Sequence, residues 1–271
     1  SSEMLLAKIG ELMDKQHKVL YYGPQSETEV TEVTEALAMH HKTSAELQPL
    51  DKKHLQLLPT DESKVLMAQY DAKQLYYLQY ANLGKQFDVA ADPEITLYNE
   101  YFGGGMNSVV FQEMREARGL AYSASAYIMQ PNYADTKYGY IAFIATQNDK
   151  MQKAVEAFDD IINNMPESET AFKIAKEGLI SRLRTDRTVK EQVLWSFIGL
   201  RNLGLEEDRD KQIFEKVQAM TLADVKAAQE KWVKNRKYVY GILGDIQDLD
   251  LNYLKTLGPI RTVSQEEIFG Y

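Results

Sequence analysis

Apolar residues recur at helical spacing over most of this chain and at strand spacing in a few short runs. Leu5, Leu6, Ile9, Leu12 and Met13 predict an opening helix. Val19 to Tyr22, closed by Gly23-Pro24, predicts a short strand. Ser26 is placed to cap the next helix, where Val30, Val33, Ala36 and Leu37 form an apolar stripe for burial. Glu27, Glu29, Glu32 and Glu35 fill the opposite, solvated face near the positive end of that helix. Residues 43–63 are polar, carry Pro49 and Pro59, and suit a connector.

Lys64 to Tyr70 and Leu75 to Asn82 are strand candidates, and Asp71-Ala72-Lys73 between them suits a hairpin or two neighbouring strands. Tyr76, Leu78 and Tyr80 are expected in the sheet core. After Asp92-Pro93 one long helix is predicted, with Ile95, Tyr98, Phe102, Gly105 and Val109 on a stripe that continues through Val110 and Met114. Gly119 suits the left-handed position at its end. Tyr122 to Met129 and Tyr138 to Thr146 alternate as strands. Helices are predicted over roughly 149–165, 168–186, 188–203, 210–219 and 221–234, with Thr221 and Asp224 as a capping box. A strand from Tyr238 to Leu243 ends at Gly244-Asp245, and a polar tail follows. Helices grouped against a mainly antiparallel sheet make this an α+β fold.

Composition narrows the chemistry. The 271 residues carry 31 Lys+Arg against 40 Asp+Glu, a net charge of −9, which argues against a nucleic-acid partner. With no Cys there are no disulfides, thiolate metal ligands or Cys nucleophiles. No apolar run approaches the ~18–20 residues of a membrane span. The compartment stays open between cytoplasm and periplasm. The chain begins Ser1-Ser2-Glu3 without an initiator Met and reads as a trimmed chain or a piece of something longer.

The four His are His17, His40, His41 and His54, and neither H-E-x-x-H nor H-x-x-E-H occurs. Adjacent side chains such as His40 and His41 point about 100° apart on a helix, so they cannot clamp a zinc ion. Gly103-Gly104-Gly105 lacks the Lys-Ser/Thr of a P-loop and the preceding strand of a dinucleotide site. Each glycine in a helix costs about 1 kcal/mol relative to Ala. The run therefore implies a close backbone approach, either within the domain or by a bound peptide.

Tyr101-Phe102-Gly103-Gly104-Gly105-Met106-Asn107-Ser108-Val109-Val110-Phe111-Gln112-Glu113-Met114-Arg115-Glu116-Ala117-Arg118-Gly119-Leu120-Ala121-Tyr122 resembles the second-half signature of the insulinase/pitrilysin family, the inverzincin zinc peptidases. There a helix enters through glycines, continues as Ser-Arg-Leu-Phe-x-x-x-Arg-Glu and ends in Gly-Leu-Ala-Tyr before a strand. Val109-Val110 departs from the usual Arg-Leu. The resemblance implies repeated α+β domains paired as two halves around a chamber, with zinc held by H-x-x-E-H in the first half. It divides this chain into 1–58, the terminal strand and helix of a preceding repeat plus a connector, and 59–271, a C-terminal inverzincin-like α+β domain.

By the same resemblance Arg115 and Tyr122, seven positions apart, are the catalytic contribution of this half, and Gly103, Gly104 and Gly105 contact substrate. Arg115 would offer a rigid fork of donors to peptide carbonyls or a carboxylate. Tyr122 would donate to the peptide oxygen that becomes negative during hydrolysis. Each also has a plain structural alternative: Arg115 as a helix-end ion pair, Tyr122 as half-buried core. Arg118 is expected to be a solvated cation. The implied function is the C-terminal part of a zinc metalloendopeptidase that closes the chamber and binds peptide or unfolded polypeptide. Zinc belongs to the complete enzyme and is not bound by this chain, which alone is expected to be inactive. Its partner is the N-terminal catalytic half, on the same chain or another subunit. The alternatives are a non-catalytic scaffold or substrate-recognition subunit, and a free-standing peptide-binding module.

Overall fold

The computed structural model describes residues 1–13, 15–38, 47–49 and 54–270; His40 and His41 lie outside them. The chain divides into two units, Ser1–Leu55 with Arg187–Gly199, and Gln56–Asp186 with Leu200–Tyr271.

The first unit holds helices α1 (Ser2–Met13) and α2 (Glu27–Ala38). Ser26 caps α2 reciprocally: its N–H and hydroxyl donate to Glu29 at 2.7 and 2.9 Å, and the Glu29 N–H returns to Ser26 Oγ at 3.3 Å. That bonding holds the Glu29 carboxyl below its ordinary range. The helical rhythm is correct, but much of the apolar stripe among the described side chains faces solvent, with Val30 half-buried. Leu5, Leu6, Ile9, Leu12 and Val33 are all exposed. The strand expected at Val19–Tyr22 does not form, and all four side chains are exposed. A strand needs a ladder partner; among the described residues of this unit the pairing is a single bridge, Lys15 to Gln48.

The second unit is built on strands β1 (Lys64–Gln69), β2 (Gln74–Gln86), β3 (Ser123–Met129), β4 (Lys137–Gln147), β5 (Val239–Gly244) and β6 (Ile260–Thr262). They form one sheet in the order β3-β4-β2-β5-β1-β6. The β3–β4, β4–β2 and β2–β5 pairs are antiparallel, and β1 runs parallel to both β5 and β6. So β1 and β2 are neither a hairpin nor neighbours. The last long strand inserts between them, an arrangement no local turn encodes. The polar tail supplies β6 and two short α-helices, Leu251–Leu257 and Gln265–Phe269.

Helices α3 (Asp92–Phe102), α5 (Met151–Asn163), α6 (Glu169–Thr185), α8 (Arg209–Val217) and α9 (Leu222–Ala228) build the other layer. Between α3 and α5 lies a short helix α4 (Val109–Phe111); α7 (Gln192–Asn202), which precedes α8 in the chain, belongs to the first unit as far as Gly199. Thr221 and Asp224 form the expected capping box of α9. Ile95, Tyr98, Phe102, Phe158, Ile162 and Trp232 join the buried sheet residues Leu75, Tyr77, Ala126, Tyr140 and Ile144 in one core. On β2 the buried set is Leu75, Tyr77, Gln79, Ala81 and Leu83. Tyr76, Leu78 and Tyr80 therefore face the other side of the sheet, where Leu78 stays 40% exposed and Tyr76 stacks on Phe143. This corrects their placement in the core. Side chains alternate strictly along a strand, and β2 carries apolar residues on both faces.

Gln79 brings an amide into the core, and the Tyr77 and Tyr140 hydroxyls are buried beside the same layer without a hydrogen-bond partner among the described residues. Asp159 on α5 adjoins them. Burial pushes its carboxyl up from 3.8 to about 6, while the nearby Gln79 amide pulls the other way without reaching full hydrogen-bond geometry. A folded state that holds the proton more tightly than the unfolded chain is penalised once the group ionises. Stability is therefore expected to rise as pH falls through about 6 towards 4. Asp159→Asn should stabilise the protein by about 1–3 kcal/mol at pH 7.5 and hardly at all at pH 4. Thermal unfolding of both proteins at the two pH values checks this, and an equal gain at both would place the effect elsewhere.

Candidate active-site segment

The helix expected to run unbroken past the glycines stops at Phe102. Gly103 donates back to Asn99 O at 3.1 Å, and residues 103–108 form turns. The reason is contact. A Cβ on Gly103 would lie 1.8 Å from Ala126 O in β3, whereas one on Gly104 would meet Asn99 O at 2.8 Å and one on Gly105 would meet nothing. Gly103 thus packs against its own sheet; Gly104 and Gly105 are exposed. Close by, the Asn99 amide clamps the edge strand, donating to Ile128 O at 3.0 Å and accepting from Ile128 N at 2.8 Å. A side chain thereby substitutes for a missing strand partner.

Ser108 restarts the helix. Its hydroxyl donates to Gly105 O at 2.7 Å and accepts from Phe111 N at 3.4 Å. Val109 and Val110, the departure from the family pattern, are both buried in the core. Beyond α4 the backbone widens into a π-helix, Gln112–Ala117, which carries Arg115. Arg118 N donates to Glu113 O, five residues back, at 3.2 Å. Gly119 ends the segment in the left-handed conformation, φ +57°. Leu120 N and Ala121 N then both donate to Met114 O, at 2.9 and 3.2 Å, and Tyr122 N joins β4 through Ala145 O at 2.9 Å. Met114 itself is fully buried and anchors this reversal. Such π segments occur often at functional sites.

The reversal brings Arg115 back over Tyr122, with the guanidinium carbon 5.4 Å from the ring centroid. A residue the sequence reading did not single out, Phe111, receives the same guanidinium at 5.0 Å. An aromatic four positions before an arginine on a helix is the signal that could have found it. Arg115 also meets the neighbouring Glu116, Nε to Oε1 3.7 Å, and its side chain is 44% exposed. Tyr122 is 71% exposed, so it is not core. Arg118, expected to be solvated alone, pairs with Glu113 at 3.3 Å and Asp160 at 3.6 Å.

Among the described residues no three His, Cys, Asp or Glu side chains converge as a metal site. The donor set present does not fit a catalytic zinc, which needs three protein ligands. What the segment offers is an exposed phenol and a planar cation held side by side, a pair of hydrogen-bond donors suited to oxygen acceptors.

A family model described as peptidase M16 inactive domain matches residues 16–179. None of the curated proteins matches the chain in sequence. Among solved structures, the peptidase M16 inactive domain from Pseudomonas fluorescens superposes with a TM-score of 0.61 at 16% identity, covering 82% of this chain and 51% of its own. A protease from Helicobacter pylori gives 0.59 at 14% identity, with 82% and 54% covered. A conserved protein from Enterococcus faecalis gives 0.60 at 14%, with 83% and 51% covered. The likeness is one of fold, and this chain spans about half the length of each of those structures.

Proposed function

The chain belongs to the peptidase M16 inactive-domain family, and from that membership we propose that it is the metal-free half of a zinc endopeptidase, closing a chamber over peptide substrate. The observation that carries this reading is the pairing of the Arg115 guanidinium with the exposed ring of Tyr122. A core arginine or tyrosine would be buried; these two present their donors to solvent. Zinc would be held by the other half and supply the Lewis acid of peptide hydrolysis. This chain's part is to bind and orient. Arg115 aligns the peptide through carbonyls or a carboxylate, and the Tyr122 phenol donates to the scissile carbonyl oxygen as charge develops there. Gly104 and Gly105, exposed and without side chains, let the peptide backbone pass close by.

The test is made in the complete enzyme, with the zinc-bearing half present. Tyr122→Phe removes one hydroxyl and keeps the ring; kcat should fall by roughly ten- to a thousand-fold while KM moves much less. Arg115→Lys keeps the charge and loses the fork, and should chiefly raise KM. Unchanged kcat in Tyr122→Phe would favour the second reading, a non-catalytic scaffold. That reading draws on the exposed apolar residues Met4, Leu5, Leu6, Val19 and Tyr22, the kind of surface an assembly subunit presents.

A further inference from the structure

Phe111 is an apolar residue that takes no part in the hydrophobic core, although Val109 and Val110 beside it are buried there. Its ring lies beneath the Arg115 guanidinium instead, and the Tyr122 ring approaches the same group, at 5.0 and 5.4 Å. Both distances are within cation–π range. The backbone that carries the three residues is fixed from below by buried Met114, whose carbonyl takes the N–H groups of Leu120 and Ala121.

Contact through its π face leaves the in-plane N–H donors of a guanidinium free at their edges. Two rings therefore restrict the rotation of Arg115 without consuming the donors a substrate would need. The competing partner is Glu116, 3.7 Å from Nε, towards which an unclamped side chain could turn. We propose that Phe111 is a positioning residue: with the Tyr122 ring it holds the Arg115 guanidinium in one orientation, edge outward, for a peptide carbonyl or carboxylate. The proposal rests on the reading of Arg115 given above, but the clamp itself can be tested apart from activity.

In the complete protein, with arginine selectively labelled, the Arg115 δ-methylene protons should resonate upfield under the two rings. Phe111→Leu should remove part of that shift, and Tyr122→Phe, which keeps its ring, should preserve it. With a fluorogenic decapeptide as probe, Phe111→Leu should raise KM by about two- to five-fold, the equivalent of one exposed cation–π contact, with kcat within about two-fold. Phe111→Trp should restore KM. In an Arg115→Gln background Phe111→Leu should change nothing further, because the effect runs through Arg115. An unshifted Arg115 resonance in the wild-type protein, or an equal KM effect of Phe111→Leu with and without Arg115, overturns the proposal. If no peptide is cleaved, or Tyr122→Phe leaves kcat unchanged, it is the functional reading that fails, and the resonance still decides the clamp. Should Phe111→Leu not fold, Phe111→Trp and Phe111→Tyr carry the same test through the size of the ring shift.

Discussion

Gly103→Ala is expected to cost about 3–5 kcal/mol or to abolish folding, while Gly105→Ala two residues away changes stability by no more than about 0.5 kcal/mol. The added methyl on Gly103 would lie 1.8 Å from Ala126 O and 2.7 Å from Ala126 N and C. Those are backbone atoms of β3, held by the β3–β4 ladder and by the Asn99 clamp at Ile128. They cannot yield as the end of a flexible side chain can. At Gly105 the same methyl meets open space. Helix propensity alone would predict a gain at either position, so the contrast isolates the backbone approach. Urea denaturation of the two variants measures it, and a neutral Gly103→Ala would mean that the close contact is not present in solution.

The second large effect is expected at the buried ion pair between α3 and α8. Asp92, only 1% exposed, accepts from Arg209 Nε at 2.9 Å and meets Nη2 at 2.8 Å. Nη2 also donates to Gln130 Oε1 at 2.8 Å, and the guanidinium lies 5.6 Å from the Phe87 centroid. Burial pushes the Asp92 carboxyl up and Arg209 pulls it back, so the charged form depends on its partner. Arg209→Ala leaves that carboxylate and the Gln130 oxygen without their donor, and should destabilise the protein by about 3–5 kcal/mol. Asp92→Leu combined with Arg209→Met should recover much of the loss, because an apolar pair needs no desolvated charge. A double mutant no better than Arg209→Ala would show that the pair is worth more than its own desolvation.

Neither interaction could be read from local pattern. Asp92 and Arg209 are 117 residues apart, and nothing around either one names the other. Gly103 did stand out, as part of a glycine run; that it packs on its own sheet, with Gly105 left free, needed the position of β3. Arg115 and Tyr122 were singled out by the family signature they resemble, but their contact needed the reversal at Gly119; Phe111 stood in the same signature without a role until the structure placed its ring at Arg115.

The sequence by itself determined most helices and strands of the second unit, though not the break after Phe102 or the strand β6. Caps such as Thr221 with Asp224 there and Ser26 with Glu29 in the first unit, the left-handed Gly119, and the periods of the helices and strands depend on neighbours within a few residues. It also determined the absence of a zinc motif and the α+β class. Tertiary structure alone decided which strands adjoin, inserting β5 between β1 and β2, and which face of β2 is core. Both faces of that strand carry apolar residues, so alternation could not choose between them. It also decided that Val19–Tyr22, a strand by composition, stays unpaired and exposed. A helix satisfies its backbone within itself, so its pattern is local; a strand and an apolar face are completed by distant chain, and no residue along either states what that chain will be.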